Sequence, residues 1–228
     1  MKNPPSIFND VLGPVMRGPS SSHSAAANRL GRISRSLAGE PITKLTAIYD
    51  PNGSLVTTHI DQGTDLGLYS GILGWEPDDE RLPTYPEALT EEGIEVEIRY
   101  ESYDAPHPNF YRLEITGKSG RVYHLDAIST GGGMISLHAI DGIAFEGAGD
   151  LFTTIFWLDA APDASGLELT KNAEFSQWLP SPSNGGILRF DSRSTPSESE
   201  IAQAKKELGS DNFRILPCLL YTSPSPRD

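Results

Sequence analysis

Between residues 94 and 140 the chain is written in a period of two, and that pattern restricts it to folds built around a sheet. Ile94, Val96, Ile98 and Tyr100 alternate with polar neighbours, as do Tyr111, Leu113 and Ile115. The Gly117-Lys118-Ser119-Gly120 loop leads into a third β-rich run over residues 122–127, and residues 134–140 form a fourth. Consecutive strands joined by short loops predict an antiparallel meander. Upstream the period changes to that of a helix. Ala26, Leu30, Ile33 and Leu37 share one face, Arg29, Arg32 and Arg35 lie off it, and Gly39 supplies a stop. Residues 45–49 read as a strand closed by Pro51-Asn52-Gly53. Thr64 can cap a helix running through Leu66, Tyr69, Ile72 and Leu73 to Gly74, and residues 87–92 form a short helix before Gly93. Helices followed by strands predict an α+β class, with helices packed on a largely antiparallel sheet.

A composition shift over residues 142–149 marks a boundary, so residues 1–148 are expected to form one domain and residues 149–217 a smaller α+β, ferredoxin-like, regulatory-like unit. In that unit residues 152–158 are β-rich and residues 160–184 are loop-like. Residues 186–190 form a strand, and Thr195, Pro196 and Glu198 begin a helix that continues over residues 201–208 to Gly209. Residues 213–216 form a final strand. Residues 218–228, rich in Pro and Ser, have no period and are expected to be an unpacked, adapter-derived tail.

The 228 residues are 37% hydrophobic, enough for a real core, and carry a formal charge of −13. With an isoelectric point near 4.7 and a mean hydropathy of −0.32, the chain is a poor partner for nucleic acid or an anionic membrane. No run is long enough to span a bilayer and no leader pattern opens the chain, so a cytoplasmic location is expected. The single cysteine, Cys218, excludes an internal disulfide and a multi-cysteine metal site within these residues.

Three loops concentrate polar chemistry. Gly18-Pro19-Ser20-Ser21-Ser22-His23-Ser24 opens the first helix, where the hydroxyls of Ser22 to Ser24 could cap the first turn and free N–H groups could hold a carboxylate or phosphate. A helix cap and an anion site are both compatible with this run. His107 before Pro108 is biased to an extended backbone, with Asn109 at the mouth of the following strand. A surface role and a pocket role both suit it. Ser129-Thr130-Gly131-Gly132-Gly133 permits positive φ and close backbone approach, either as an anion-binding nest or as a plain connection. His59 and Asp61 have a metal-like spacing but make only two ligands, and His124 and His138 sit inside strands as structural histidines.

These strings also resemble a known family. An approach from Phe8 to Met16, then Gly-Pro-Ser-Ser-Ser-His, Gly63-Thr64-Asp65, Asp78-Asp79-Glu80-Arg81, His107-Pro108-Asn109 and Ser129-Thr130-Gly131-Gly132-Gly133 occur in the order and at spacings compatible with the β part of iron–sulfur-dependent L-serine dehydratases. The resemblance covers about residues 7 to 140. It implies conversion of L-serine to pyruvate and ammonia, with a [4Fe–4S] cluster bound by an α domain or subunit absent from this chain, and an oligomer when complete. By the same resemblance His107 and Asn109 are the catalytic candidates, and Ser20, Ser21, Ser22, His23, Gln62, Ser129, Thr130 and Gly131 bind substrate. Gln62 stands where many members have histidine, and glutamine cannot exchange a proton near neutral pH. That departure leaves a dehydratase of a related β-hydroxy acid as one alternative. The serine run and the C-terminal unit leave a stand-alone amino-acid-binding regulatory protein as another, although the Asp-Arg-Pro-Gly signature of the family's sensing module is absent.

Overall fold

The computed structural model describes residues 14–220. The expected approach over residues 8–13 and the tail over residues 221–228 lie outside the described residues. A π turn, Ser21–Ala25, runs directly into helix α1, Ala26–Ala38, which ends at Gly39 in the left-handed region as its position predicts. Strand β1 (Ile42–Tyr49) follows, then α2 (Leu55–Thr58), α3 (Thr64–Ile72) and α4 (Tyr85–Glu92). Strands β2 (Glu95–Tyr100), β3 (Phe110–Gly117), β4 (Val122–Gly131), β5 (Met134–Ile140) and β6 (Ile143–Gly147) complete a six-stranded sheet of order β2-β1-β3-β4-β5-β6.

The period of two placed β2, β3, β4 and β5, whereas β6 lies in the stretch read as a boundary, residues 142–149, because its five residues are too few to show a period, and β2 is not part of the meander. It pairs in parallel with β1, Ala47 opposite Ile98, while β3 pairs antiparallel with the other side of β1. A parallel neighbour needs a crossover, and residues 50–94 with their helices supply it. Alternation reports which face a side chain takes; the neighbouring strand is decided by that crossover. On the inner face Leu45, Ala47, Tyr111, Leu113, Leu125 and Ala127 pack beneath Leu30, Ile33 and Leu37 of α1. The outer face is ionic, with Arg99 against Glu114 and Arg112 against Asp126.

Helices α1 and α3 meet backbone to backbone. A Cβ on Gly67 would lie 2.0 Å from Ser24 O, and one on Gly71 2.3 Å from Asn28 O. Asn28 Nδ2 donates across the same seam to Ser70 Oγ and Trp75 O. This close crossing holds the π turn against the start of α3. That start is capped by Gly63, φ 80°, rather than by the Thr64 side chain, because a Cβ at residue 63 would meet Ser24 Oγ at 2.4 Å.

The C-terminal unit comprises β7 (Phe152–Leu158), α5 (Glu168–Asn172), β8 (Phe175–Pro180), β9 (Gly186–Ser192), α6 (Glu198–Leu208) and β10 (Phe213–Leu216) in a sheet of order β10-β7-β9-β8. Strand β9 lies between β7 and β8, the split βαβ arrangement of a ferredoxin-like fold. Residues 160–184, expected as loop, contain α5 and β8. Both elements are short, and β8 is an edge strand with Phe175 exposed, so neither carries a full apolar period. Helix α6 starts at Ser197, whose side chain and that of Glu200 form a capping box, rather than at Thr195.

The two sheets share one core. Ile155, Ile187, Leu216 and Leu219 join the cluster that includes α1. Arg214 on β10 donates to Leu37 O and Ala38 O at the C-terminal end of α1. Leu219 is buried and its N–H donates to Gly149 O at 2.7 Å, while the Cys218 thiol lies 3.4 Å from Asp150 O. The first residues of the expected tail are therefore packed: Leu219 fills an apolar position that its composition-poor surroundings do not advertise.

Candidate functional site

The three polar loops converge at one end of the large sheet, beyond the C-terminal ends of β1 and β4 and the start of β3. Ser20 O accepts the backbone N–H groups of both His23 and Ser24, which tightens the chain into the π turn. No serine hydroxyl caps the helix. They turn instead to the imidazole: Ser20 Oγ lies 3.1 Å and Ser22 Oγ 3.2 Å from His23 Nδ1, and the two oxygens are 3.1 Å apart. The other ring nitrogen, Nε2, lies 3.1 Å from Thr58 Oγ1 at the end of α2.

From Thr58 the network runs on without a break. Thr58 donates to Ser54 O at 2.8 Å, and Ser54 Oγ donates to Asn109 Oδ1 and lies 3.2 Å from Pro108 O. The backbone N–H of Asn109 donates to His107 Nδ1 at 3.0 Å. A backbone N–H can only donate, so Nδ1 is the bare nitrogen of neutral His107 and Nε2 carries its proton. His107 lines an open cleft with Asp50, Asn52, Gly53, Asp104 and Ala105. Asp50 organises that cleft by accepting the N–H groups of Tyr103, Asn52 and Ala105, and those bonds hold its carboxyl below the usual carboxylate range.

Ser129 closes the site from the opposite side. Its hydroxyl donates to Ser22 O at 2.7 Å, and its N–H donates to Asn109 O at 3.1 Å. Gly131, Gly132 and Gly133 all have positive φ and form the β4–β5 hairpin turn. A Cβ on Gly133 would lie 3.2 Å from Ala25 Cβ, so the hairpin rests on the head of α1. Thr130 is exposed beside this turn. Gln62 reaches the cluster through its backbone, with its N–H on Thr58 O and its O accepting from Ser24 Oγ; its side-chain amide has no partner among the described residues.

The structure therefore joins Ser20, Ser22, His23, Gln62, His107, Asn109 and Ser129 in one network, while Ser21 Oγ and Thr130 Oγ1 stand without hydrogen-bond partners among the described residues. Thr58 and Ser54 are the links that sequence reasoning missed. Ser54 directly follows the Asn52-Gly53 turn and carries no signal of its own, and a four-residue helix leaves no periodic signal to single out Thr58.

His59 belongs to a separate, buried cluster. Its Nδ1 lies 2.8 Å from Asp65 Oδ2 and its Nε2 2.9 Å from Tyr100 OH, so both nitrogens are engaged and the spacing to Asp61 makes no metal site. Burial pushes the Asp65 carboxyl up, against the hydrogen bond from His59. Cys218 is the only thiol in the chain, and among the described residues no three His, Cys, Asp or Glu side chains gather as metal ligands. The residues present do not fit an iron–sulfur cluster, which needs several thiolates. No helix of the described residues is long and apolar enough to cross a membrane.

Two curated proteins are similar to this chain. The probable L-serine dehydratase beta chain of Bacillus subtilis (strain 168) is 38% identical over 146 residues, 64% of each chain. The L-serine dehydratase beta chain of Peptoniphilus asaccharolyticus is 33% identical over 147 residues, 64% of this chain and 65% of that one. The chain thus spans a little under two thirds of the curated relatives it matches. No protein-family model matches it.

Proposed function

We infer that this chain, a member of the L-serine dehydratase β-chain family, is the β part of an L-serine ammonia-lyase and supplies substrate-binding groups to a site completed by an α chain or domain. The observation that supports this reading is the network itself: the family-like strings around Ser20, Gly63, His107 and Ser129, distant in sequence, meet at one end of the sheet. L-Serine loses water to give 2-aminoacrylate, whose imine tautomer takes water back as it releases ammonia, leaving pyruvate. The [4Fe–4S] cluster implied by the family belongs, on this reading, to the α part, since the single thiol here cannot hold it.

What this chain's own residues do is orient and handle protons. Holding a substrate in a reactive pose removes much of the entropic barrier. His107 is fixed by the Asn109 N–H at one nitrogen, which leaves Nε2 directed to exchange a proton. His23, with both nitrogens engaged, positions rather than transfers. The test is reconstitution under anaerobic conditions: the full chain with L-serine forms no pyruvate by itself and forms it when combined with an L-serine dehydratase α chain. Pyruvate from the chain alone, or none from the combination, overturns the reading.

A further inference from the structure

We propose that His59, Asp65 and Tyr100 form a latch that holds the loop between α2 and α3 and through it sets the position of Gln62, so that all three are positioning residues for the candidate site. Their part in activity rests on the function proposed above; the latch itself does not. Within this loop, Ile60 is 71% exposed and Asp61 is exposed, so neither side chain ties it to the core. Its two ends are tied to one another instead, and twice. The N–H of Asp65 donates to His59 O at 3.1 Å, and Asp65 Oδ2 lies 2.8 Å from His59 Nδ1. Main chain and side chain thus close the same loop.

The other ring nitrogen carries the latch to the sheet. His59 Nε2 lies 2.9 Å from the hydroxyl of Tyr100, the last residue of β2, and the imidazole meets the rings of Tyr100 and Tyr49 at centroid distances of 6.2 and 5.9 Å. One hydrogen in each contact satisfies both nitrogens in either neutral tautomer, so the ring is held whichever nitrogen is protonated. Strand β2 is fixed in turn by its parallel ladder with β1, where Tyr49 faces Tyr100. Inside this frame Gln62 is bound by its main chain alone, its N–H on Thr58 O at 2.9 Å and its O accepting from Ser24 Oγ at 3.2 Å. A tied backbone with an uncommitted side-chain amide presents one free donor and one free acceptor, and their placement is only as exact as the loop that carries them. His59 is 6% exposed with both nitrogens engaged, so it acts through Gln62 and does not itself meet a substrate.

Tyr100→Phe tests the latch by removing only the hydroxyl of a half-exposed ring. Amide hydrogen exchange on the labelled full chain is read at Gln62, Gly63 and Asp65, with Leu113 of β3 as the internal reference. Exchange at the loop amides should quicken about fivefold, the worth of one hydrogen bond, and Leu113 should not change. His59→Asn keeps an N–H near the place of Nδ1 and loses Nε2, so adding Tyr100→Phe to it should change nothing more. In the enzyme assembled with an L-serine dehydratase α chain, Tyr100→Phe should raise KM for L-serine about fivefold with a smaller effect on kcat. In a Gln62→Ala chain the same substitution should leave KM where Gln62→Ala put it, because no amide remains to be positioned. Unchanged exchange in the loop, equal quickening at Leu113, or additive effects of Tyr100→Phe and Gln62→Ala on KM overturn the proposal. If His59→Asn does not fold, Tyr100→Phe still decides. If wild type forms no pyruvate with the α chain, the proposed function fails, and the exchange rates alone decide the latch.

Discussion

Ser129 Oγ donates to Ser22 O across 2.7 Å, joining the last turn of β4 to the head of α1 over 107 residues of sequence. Ser129 is fully buried, so this bond is sheltered from water and pins the polar turn to the sheet. Removing it should matter more to the site than to the fold. Ser129→Ala is expected to cost about 1 kcal/mol in urea unfolding, and to lower kcat/KM of the assembled lyase about fivefold or more. An unchanged kcat/KM would show that the turn needs no such anchor.

His107 is a loop side chain and Ser21 opens the π turn, and neither takes part in the core. His107→Ala is expected to lower kcat of the assembled enzyme by about 100-fold or more, the usual scale of a lost proton-transfer group, with cooperative melting retained. Ser21→Ala should raise KM with a smaller effect on kcat, because its uncommitted hydroxyl is the donor left in the serine turn for a carboxylate. Loss of cooperative melting in either variant would identify a structural residue instead.

The α1–α3 seam admits no side chain at Gly67, where a Cβ would lie 2.0 Å from Ser24 O. Gly67→Ala should therefore push the helices apart and destabilise the chain by about 1–3 kcal/mol, a cost typical of overpacking. Because Ser24 bonds Gln62 O, the same variant should also disturb His23 spectroscopically. A variant as stable as wild type would contradict the seam.

Asp65 gives the molecule a defined pH response. Burial raises its carboxyl above the ordinary value of 3.8, so the folded chain holds that proton more tightly than the unfolded chain does. Stability contributed in this way is present at low pH and is lost as pH rises through the interval between 3.8 and the raised value. Asp65→Asn lacks this titration. Urea unfolding at pH 4 and pH 7 should show a smaller change for the variant than for wild type, and equal changes would rule the explanation out.

Much of the fold was legible along the chain. Leu30, Ile33 and Leu37 mark a helix face and Tyr111, Leu113 and Ile115 a strand face because periodicity is a local property of consecutive side chains. Gly39, Gly93 and Gly209 end their helices where expected, since only the left-handed conformation is needed to stop each one. Cys218, the single thiol, also sets by itself what metal chemistry these residues cannot hold.

Pairing and proton direction required the tertiary structure. That β2 lies parallel to β1 depends on how residues 50–94 cross over, and no local period records a crossover. The serine run reads as a cap or an anion site until the fold brings Thr58, 35 residues from His23, beside its Nε2. A hydroxyl or an imidazole can donate or accept, and which it does is decided by its neighbours in space. Sequence determined which polar groups this chain possesses; the fold, by placing Ser54 O and Thr58 next to one another and to His23, decided which way their hydrogens point.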